Sequence, residues 1–288
     1  MEKIKAVVIG AGGKMGTRTS NNLITHFADK FETKLVETYP PAVERIEKER
    51  GLEVTPIEEA LEFAEVVVFA VPDTLIKQLS AQYVPMLKPG TAFIILDPAA
   101  AVAKELTMRE DCTFAVAHPC HPSFFKWQKE EEAYLDRFGG EGGHQDIVMS
   151  CIQGDEEKFK LAQETAKCMY RADKAFIMTS EQIAFLEPTL VEVLGAACIF
   201  AMAETVEEAE RRGIDREAAV SFLTGHMFNL TANFLGYLPG KPPVSDACKV
   251  AIGIGNKLVL RDDWKKIWDD GVLDKVIATM LHPDRPQV

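Results

Sequence analysis

Short apolar runs alternate with helix-like segments over the first 180 residues, and this alternation predicts repeated βα units. Strand-like runs lie at 4–9, 33–37, 65–71, 91–97, 112–117, 147–152 and 174–178. Helix-like segments lie at 15–30, 40–50, 56–63 and 155–169. Such alternation is typical of a doubly wound, mainly parallel sheet with helices on both faces.

Strand patterns end near residue 180, and helical periodicity replaces them. Pro188 suits the first turn of a new helix, and Gly213 is typical of a helix end. Further helical patterns cover 215–235, 245–258 and 262–281. The predicted fold class is therefore α/β, with an N-terminal Rossmann sheet followed by an all-α C-terminal domain.

The domain division predicted from this change is residues 1–180 for cofactor binding and residues 181–288 for substrate and dimer contacts. The apolar surface of the long C-terminal helices favours a homodimer. The longest all-apolar stretch, 193–203, is shorter than a membrane span, so we expect no membrane partner.

Composition narrows the class of protein. The 288 residues are 47% hydrophobic and 26% charged, as in a soluble globular chain of one or two domains. The net charge of −12 disfavours nucleic acid and anionic membrane as partners. Six cysteines without a Cys-x-x-Cys pair are typical of reduced thiols, so we expect a cytoplasmic location.

A glycine-rich turn directly follows the first strand. It consists of Gly10, Ala11, Gly12, Gly13, Lys14, Met15 and Gly16. Such a turn brings backbone close to a phosphate, and the following helix points N–H groups at it. Glu37 ends the next strand-like run, at the spacing of a carboxylate that binds the ribose 2′-hydroxyl. We expect NAD rather than NADP, with Val71 and Pro72 from a third strand end also contacting the cofactor.

Two histidines follow another strand, in the segment His118-Pro119-Cys120-His121-Pro122. Ligands of an open α/β sheet bind at the carboxyl ends of strands, so His118 is a candidate general base or metal ligand. His121 is a weaker candidate. The alternative is that these imidazoles only hydrogen-bond a neighbouring loop. Cys120 is expected to be a small buried residue rather than a nucleophile.

Glu192 lies in a helix that is otherwise apolar on almost every side. Burying a lone carboxylate is costly, so Glu192 needs a cation, a metal or a hydrogen-bond donor. The alternative is a position near the helix start, partly hydrated and stabilised by the helix dipole. Glu187 is either a second ligand or a cap. Five residues apart, or roughly 140° around an α-helix, the two face one site only if the helix breaks near Pro188.

Further polar residues stand in apolar surroundings of the C-terminal half. His226, Asn229 and Asn233 share one face of a predicted helix and are candidates for substrate contact or for interhelical hydrogen bonds. Lys249 and Lys257 are candidate partners for a substrate carboxylate.

Taken end to end, the chain resembles the D-apionate oxidoisomerase family, within the wider 6-phosphogluconate dehydrogenase-like and β-hydroxyacid dehydrogenase superfamily. The features in common are the glycine turn, Glu37, Val71-Pro72-Asp73, the histidine segment and the helical segment 186–192. The Lys-x-x-x-Asn pattern of β-hydroxyacid dehydrogenases is missing from the first long helix, which argues against ordinary lysine-assisted oxidation.

The resemblance implies an NAD-dependent oxidoisomerase that converts D-apionate, a branched sugar acid, to 3-oxo-isoapionate. An alcohol is oxidised and the carboxylate-bearing carbon migrates. A divalent metal, zinc or magnesium, would polarise the carbonyl, with His118 and Glu192 as its ligands and as catalytic residues. Two other interpretations stay open. One is a metal-free NAD-dependent dehydrogenase of a small hydroxyacid or semialdehyde with His118 as base, and the other is an NAD sensor without turnover.

Overall fold

The structure is a computed structural model that describes residues 2–240 and 244–287. Its contacts divide the chain into two units. The first unit comprises Met1–Ala184 with Asp274–Val288, and the second comprises Phe185–Leu273. A hydrogen bond between His282 Nε2 and Glu105 Oε1, 2.9 Å long, joins the last residues to the first unit.

The first unit is built on one seven-stranded sheet. Its strands are β1 (Ile4–Ile9), β2 (Phe31–Val36), β3 (Val66–Phe69), β4 (Ala92–Ile95), β5 (Thr113–Pro119), β6 (Gln145–Gln153) and β7 (Ala172–Ile177). They lie in the order β2-β1-β3-β4-β5-β6-β7. The β5–β6 pair is antiparallel, and the other neighbouring pairs are parallel. The α/β fold with a mainly parallel sheet is thus confirmed.

The centre of the sheet is apolar throughout because helices cover both of its faces. β3 and β4 are buried along their whole length. The rings of Phe69, Phe93 and Phe114 form a row across three neighbouring strands, with centroids 5.0 and 5.4 Å apart. This packing joins β3, β4 and β5 through their side chains.

The helices of the first unit connect the strands. They are α1 (Lys14–Asn21), α2 (Pro40–Glu44), α3 (Ile57–Phe63), α4 (Asp73–Tyr83), α5 (Ala99–Val102), α6 (Glu131–Leu135), α7 (Glu156–Tyr170) and α8 (Ser180–Ala184). The sequence pattern did not predict α4, α5 or α6. The segment predicted as one helix over 15–30 is α1 followed by a π-helical turn at Asn22–His26.

The second unit is helical, as predicted. It contains a π-helical segment at Phe185–Ala196, α9 (Ala197–Arg211), α10 (Arg216–Phe234), α11 (Asp246–Leu258) and a 3₁₀ turn at Trp264–Trp268. α12 (Asp270–Leu281) begins in this unit and ends in the first. Few side chains of these helices are buried, and α11 buries none.

Pro188 does not begin a helix, contrary to the prediction from its position. It lies inside the π-helical segment, and the helix runs from Ser180 to Arg211. Wide i→i+5 turns are a recognised way for a helix to accommodate an irregularity. By length and composition alone, this helix is long and apolar enough to cross a membrane. It is the one such helix in the part of the chain that the structure describes. The all-apolar stretch at 193–203 therefore underestimated the length of this apolar helix.

Candidate cofactor and catalytic site

The strand ends of the first unit meet at one edge because their parallel registers align. Ile9 pairs with Val36 on one side and with Phe69 on the other, and Ile95 pairs with both Phe69 and Val116. The residues just beyond these pairs therefore share the edge where ligands of such sheets bind. They are the glycine turn, Glu37, the segment 70–72, Asp97 and His118.

The glycine turn depends on glycine at two positions for different reasons. Gly10 has a φ of +79°, a conformation that L side chains rarely adopt. Gly16 lies so close to the turn that a Cβ would overlap the Gly10 carbonyl oxygen. The turn then leads into α1 with Gly13 at the N-cap. The first N–H groups of a helix lack partners within the helix, so this end is suited to an anion.

Glu37 lies beside the turn. Its Oε2 accepts a hydrogen bond from the Gly12 N–H at 3.0 Å, and its Oε1 accepts from the N–H groups of Thr38 and Tyr39 at 2.9 and 3.0 Å. These bonds hold the carboxylate at the edge of a cavity of about 410 Å³. Gly10, Gly12, Gly13, Glu37, Val71 and Pro72 all line it, as do Arg45 and Tyr83.

Three other members of the glycine motif have different surroundings. The Lys14 ammonium lies 3.9 Å from the centroid of the Phe138 ring. Met15 packs against the hydrophobic core, and Gly16 is buried. Their predicted cofactor contacts therefore rest on backbone at the start of α1 and stay predictions.

His118 is held in a defined orientation. Its Nδ1 lies 2.8 Å from the Leu96 carbonyl oxygen, and a carboxylate oxygen of Asp97 lies 3.9 Å from the same nitrogen. A carbonyl can only accept, so Nδ1 carries the proton and Nε2 is the basic nitrogen. Next to it, the hydroxyl of buried Tyr170 donates to the Ala117 carbonyl, and burial raises the pKa of this phenol.

His121 matches the structural alternative. Its φ is +57°, and its Nδ1 lies 2.6 Å from the Phe138 carbonyl oxygen. The imidazole also packs on the Phe138 ring, with centroids 4.6 Å apart. Cys120 is exposed, so the expectation of a buried thiol is wrong. The reason is that this residue lies just past the end of β5, outside the covered part of the sheet.

The carboxylate of Asp136, which was not among the predicted site residues, connects the loop after α6 to α1. Asp136 accepts hydrogen bonds from the N–H groups of Gly139, Glu141, Gly142 and Gly143, and its Oδ1 lies 3.4 Å from Arg18. Burial alone would raise the pKa of Asp136, but these N–H donors lower it below its usual value. The cluster of glycines after an aspartate was the available signal, because such a segment can wrap its N–H groups around one anion.

Glu187 and Glu192 lie in the π-helical segment of the second unit. Because i→i+5 turns bring residues five apart to the same side, the two carboxylates share a side without a helix break. Glu192 is exposed and Glu187 is half-buried. Several neighbouring apolar side chains are exposed as well, so the burial that made Glu192 a candidate is not provided within one chain.

The remaining candidates also lie in the second unit. The Nδ1 of His226 lies 2.7 Å from the Phe222 carbonyl oxygen, and the two rings stack. Asn229 is exposed and Asn233 is half-buried on the same helix. The Lys249 ammonium pairs with Asp246 at 2.8 Å, and Lys257 is exposed.

The predicted metal ligands can be compared with the arrangement of the described side chains. Within residues 2–240 and 244–287, no group of three or more His, Cys, Asp or Glu side chains is arranged to hold a metal ion. The predicted pair of His118 and Glu192 belongs to two different units of the chain.

Known proteins share this architecture. Residues 126–281 match the family Phosphogluconate dehydrogenase (decarboxylating) C-term. Over its full length and that of the relative, the chain is 69% identical to a D-apionate oxidoisomerase of Blautia hydrogenotrophica. It is 41% identical to a D-apionate oxidoisomerase of Cupriavidus necator, over 93% of this chain and 95% of that relative.

Solved structures agree with this. A semialdehyde dehydrogenase NAD-binding protein from Cupriavidus necator, in complex with calcium and NAD, is 40% identical, with a TM-score of 0.90 over 97% of this chain and all of that one. A ketol-acid reductoisomerase from an uncultured archean has a TM-score of 0.68 over 97% of this chain and 83% of that one. At 22% identity it shows the fold alone.

Proposed function

We propose that this chain, which belongs to the D-apionate oxidoisomerase family, is an NAD-dependent oxidoreductase that converts D-apionate to 3-oxo-isoapionate. The observation that carries the proposal is identity of 69% over the full length of a protein with that name. The structure contributes a dinucleotide cavity at the strand ends and an oriented histidine at the same edge.

Glu37 selects the cofactor. Its carboxylate accepts hydrogen bonds from the ribose hydroxyls of NAD, whereas the 2′-phosphate of NADP would be repelled. Arg45 lines the same cavity and offsets part of that repulsion. We therefore infer a preference for NAD that is set mainly by one carboxylate.

His118 is inferred to be the base of the oxidation. The substrate alcohol loses a hydride to the nicotinamide, which gives NADH, and its hydroxyl proton passes to Nε2 of His118. The Leu96 carbonyl keeps the other ring nitrogen protonated, so Nε2 is the nitrogen whose lone pair can accept the proton. In the resulting ketone, a carbon substituent of the neighbouring carbinol carbon migrates with its bonding pair to the carbonyl carbon. The carbinol becomes the new carbonyl, and its proton passes to the former carbonyl oxygen.

We further infer a hard divalent cation for the migration. Glu187 and Glu192 share one side of the π-helical segment, and paired carboxylate oxygens are ligands that Mg²⁺ or Ca²⁺ prefers. If the ion instead bound Nε2 of His118, a ligand that suits zinc better, that nitrogen would not be available as the base. When bound, such an ion would polarise the carbonyl and hold two substrate oxygens.

The chain is inferred to act as a homodimer. In the second unit, a groove of about 600 Å³ between α9 and α10 is lined by Met202, Val206, Ile214, Leu223 and other mainly apolar residues. Phe222 also lines this groove and is 70% exposed. Large exposed apolar patches mark association surfaces, and a second copy offers a matching one.

The deciding experiment is NADH formation from NAD and D-apionate, with and without EDTA, followed by NMR of the product carbon skeleton. A rearranged product that forms without EDTA and is lost when EDTA removes the ion supports the whole proposal. NADH formation that is indifferent to EDTA, with an unrearranged product, supports the metal-free dehydrogenase instead. Tight NAD binding without turnover of any sugar acid supports an NAD sensor.

A further inference from the structure

The glycine turn is held from behind by arginines that follow β2. Arg50 donates from Nη1 to the Ala11 carbonyl oxygen at 3.2 Å, and Arg45 donates from Nη2 to the Gly12 carbonyl oxygen at 3.0 Å. The Thr17 hydroxyl also donates to the Ala11 oxygen at 3.2 Å. Two successive carbonyls of the turn are therefore each bound by a guanidinium.

Arg50 and Arg45 differ in where they lie. Arg45 lines the cofactor cavity itself. Arg50 lines a separate cavity with Asn21, Asn22 and Leu52. Its effect on a bound dinucleotide would therefore pass through the backbone of the turn.

The peptide between Ala11 and Gly12 connects Arg50 to Glu37. In a trans peptide the C=O and the N–H point in opposite directions. Arg50 binds the carbonyl end of this peptide, and Glu37 accepts from its N–H end. A cation and a carboxylate thus bracket one peptide dipole, and each favours the orientation that the other requires.

Arg50 is also an unusually placed charge. Its Nη2 donates to Ser20 Oγ at 2.8 Å and to Asn21 Oδ1 at 2.7 Å, so its hydrogen-bond partners are neutral oxygens. Its Nε is buried without a hydrogen-bond partner among the described residues. Burial lowers the pKa of this guanidinium. A desolvated cation with neutral partners is costly, and an anion across the turn would offset that cost.

We propose that Arg50 is a positioning residue for the cofactor: it orients the Ala11–Gly12 peptide and thereby Glu37, and it places positive charge behind the turn that receives the diphosphate. The proposal rests on NAD being the cofactor of the proposed function. Titrating wild-type protein with NAD separates the two, because failure to bind NAD would contradict the proposed function before Arg50 is tested.

The test compares Arg50→Met and Arg50→Lys with Arg109→Met. Arg109 is a matched control because its guanidinium also binds backbone carbonyls of this unit, those of Pro85 and Leu87, away from the turn. Arg50→Met is expected to raise the Kd for NAD about 10- to 100-fold, the range for a hydrogen bond to a charged group. Arg109→Met is expected to lower the melting temperature without changing that Kd.

Two further measurements separate positioning from general damage. Arg50→Met should reduce the preference for NAD over NADP, since Glu37 loses its fixed partner, and kcat at saturating NAD should change less than twofold. The double variant Arg50→Met/Glu37→Gln should bind NAD more tightly than the product of the single effects predicts, because the two residues act on one peptide. Arg50→Lys keeps the charge and should recover part of the affinity.

Three results would overturn the proposal. One is a Kd of Arg50→Met within twofold of wild type. Another is an equal loss for NAD and NADP that matches the loss in Arg109→Met. The last is strict multiplication of the Arg50 and Glu37 effects. If Arg50→Met does not fold, Arg50→Gln, which also removes the charge, is used for the same comparisons on folded protein.

Discussion

The two units of the chain bury their apolar residues to very different degrees. In the first unit, β1, β3 and β4 form a core whose side chains are almost completely covered by the helices of the same unit. In the second unit, Ala232 is the buried residue of α10, and α11 has none. These helices are not simply polar helices in water, because Phe200 and Phe222 are 67% and 70% exposed.

The difference suggests a test of which functions depend on each unit. The cofactor cavity is bounded by backbone and side chains of the first unit, so we expect NAD affinity to depend mainly on that unit. The second unit holds Glu187 and Glu192 on a helix with uncovered apolar neighbours. Its chemistry is therefore expected to depend on what covers that helix.

The largest effect is expected at Glu192. Glu192→Gln removes the charge with little change of shape and should lower kcat at least about 1,000-fold, since a metal ligand or acid–base group would be lost. NAD affinity, a property of the first unit, should stay within threefold. Turnover is measured as NADH formation, and NAD binding is measured by calorimetry. Unchanged turnover would exclude Glu192 from the site.

The next largest difference is expected between glycine substitutions in the first unit and in the second. Gly16→Ala forces a Cβ onto the Gly10 carbonyl and should weaken NAD binding at least about 100-fold, because the turn must shift. Gly253→Ala in α11 meets no atom within 4 Å and should raise helix stability by about 1 kcal/mol at most. Thermal melts and NAD titrations of both variants check this contrast. Normal NAD binding by Gly16→Ala would contradict the turn geometry.

Charge on the exposed helices should weaken the proposed dimer. Phe200→Asp and Phe222→Asp place a carboxylate on the apolar surface of the second unit and should weaken self-association about 30-fold or more, the effect of losing a central contact. Met108→Asp is a control, because Met108 is 40% exposed on the first unit. Analytical ultracentrifugation gives the association constants. Dimers that survive both phenylalanine substitutions would place the interface elsewhere.

A smaller effect is expected at Asp136, within the first unit. The pKa of Asp136 is lower in the folded chain than in the unfolded chain, so the folded chain binds fewer protons. The contribution of Asp136 to the free energy of unfolding is therefore present above about pH 4. That contribution is lost as the pH falls through the folded pKa. Asp136→Asn should destabilise the protein at pH 7 and flatten the acid dependence, which denaturant unfolding from pH 7 to pH 3 would measure. An unchanged acid profile would mean that other carboxyls dominate.

Elements that depend on interactions between residues close in sequence could be predicted from local sequence patterns. Gly10 and Gly16 are required by a φ and by an overlap within seven residues of chain, so the turn could be predicted from its own letters. The same holds for the apolar strands on either side of it. Glu37 was found by spacing, because one βα unit has a nearly constant length.

Long-range pairings were not accessible in the same way. The strand at Gln145–Gln153 was predicted, but its antiparallel direction was not, because alternation of side chains is the same read from either end. Arg50 was missed because its partners lie elsewhere in the chain, on α1 and in the glycine turn, and no pattern around Arg50 specifies them. Asp136 differs, because most of its partners are nearby N–H groups and the glycines after it were a usable signal.

The sequence by itself determined the class of fold and the family, and it predicted the glycine turn and Glu37 as cofactor-binding, because each depends on residue type and on short spacing. Only the tertiary structure decided that His118 Nδ1 binds the Leu96 carbonyl, that His121 packs on Phe138, and that Arg50 and Glu37 bind the two ends of one peptide. The physical reason is that hydrogen bonds and desolvation act over a few ångströms in space, whatever the separation along the chain.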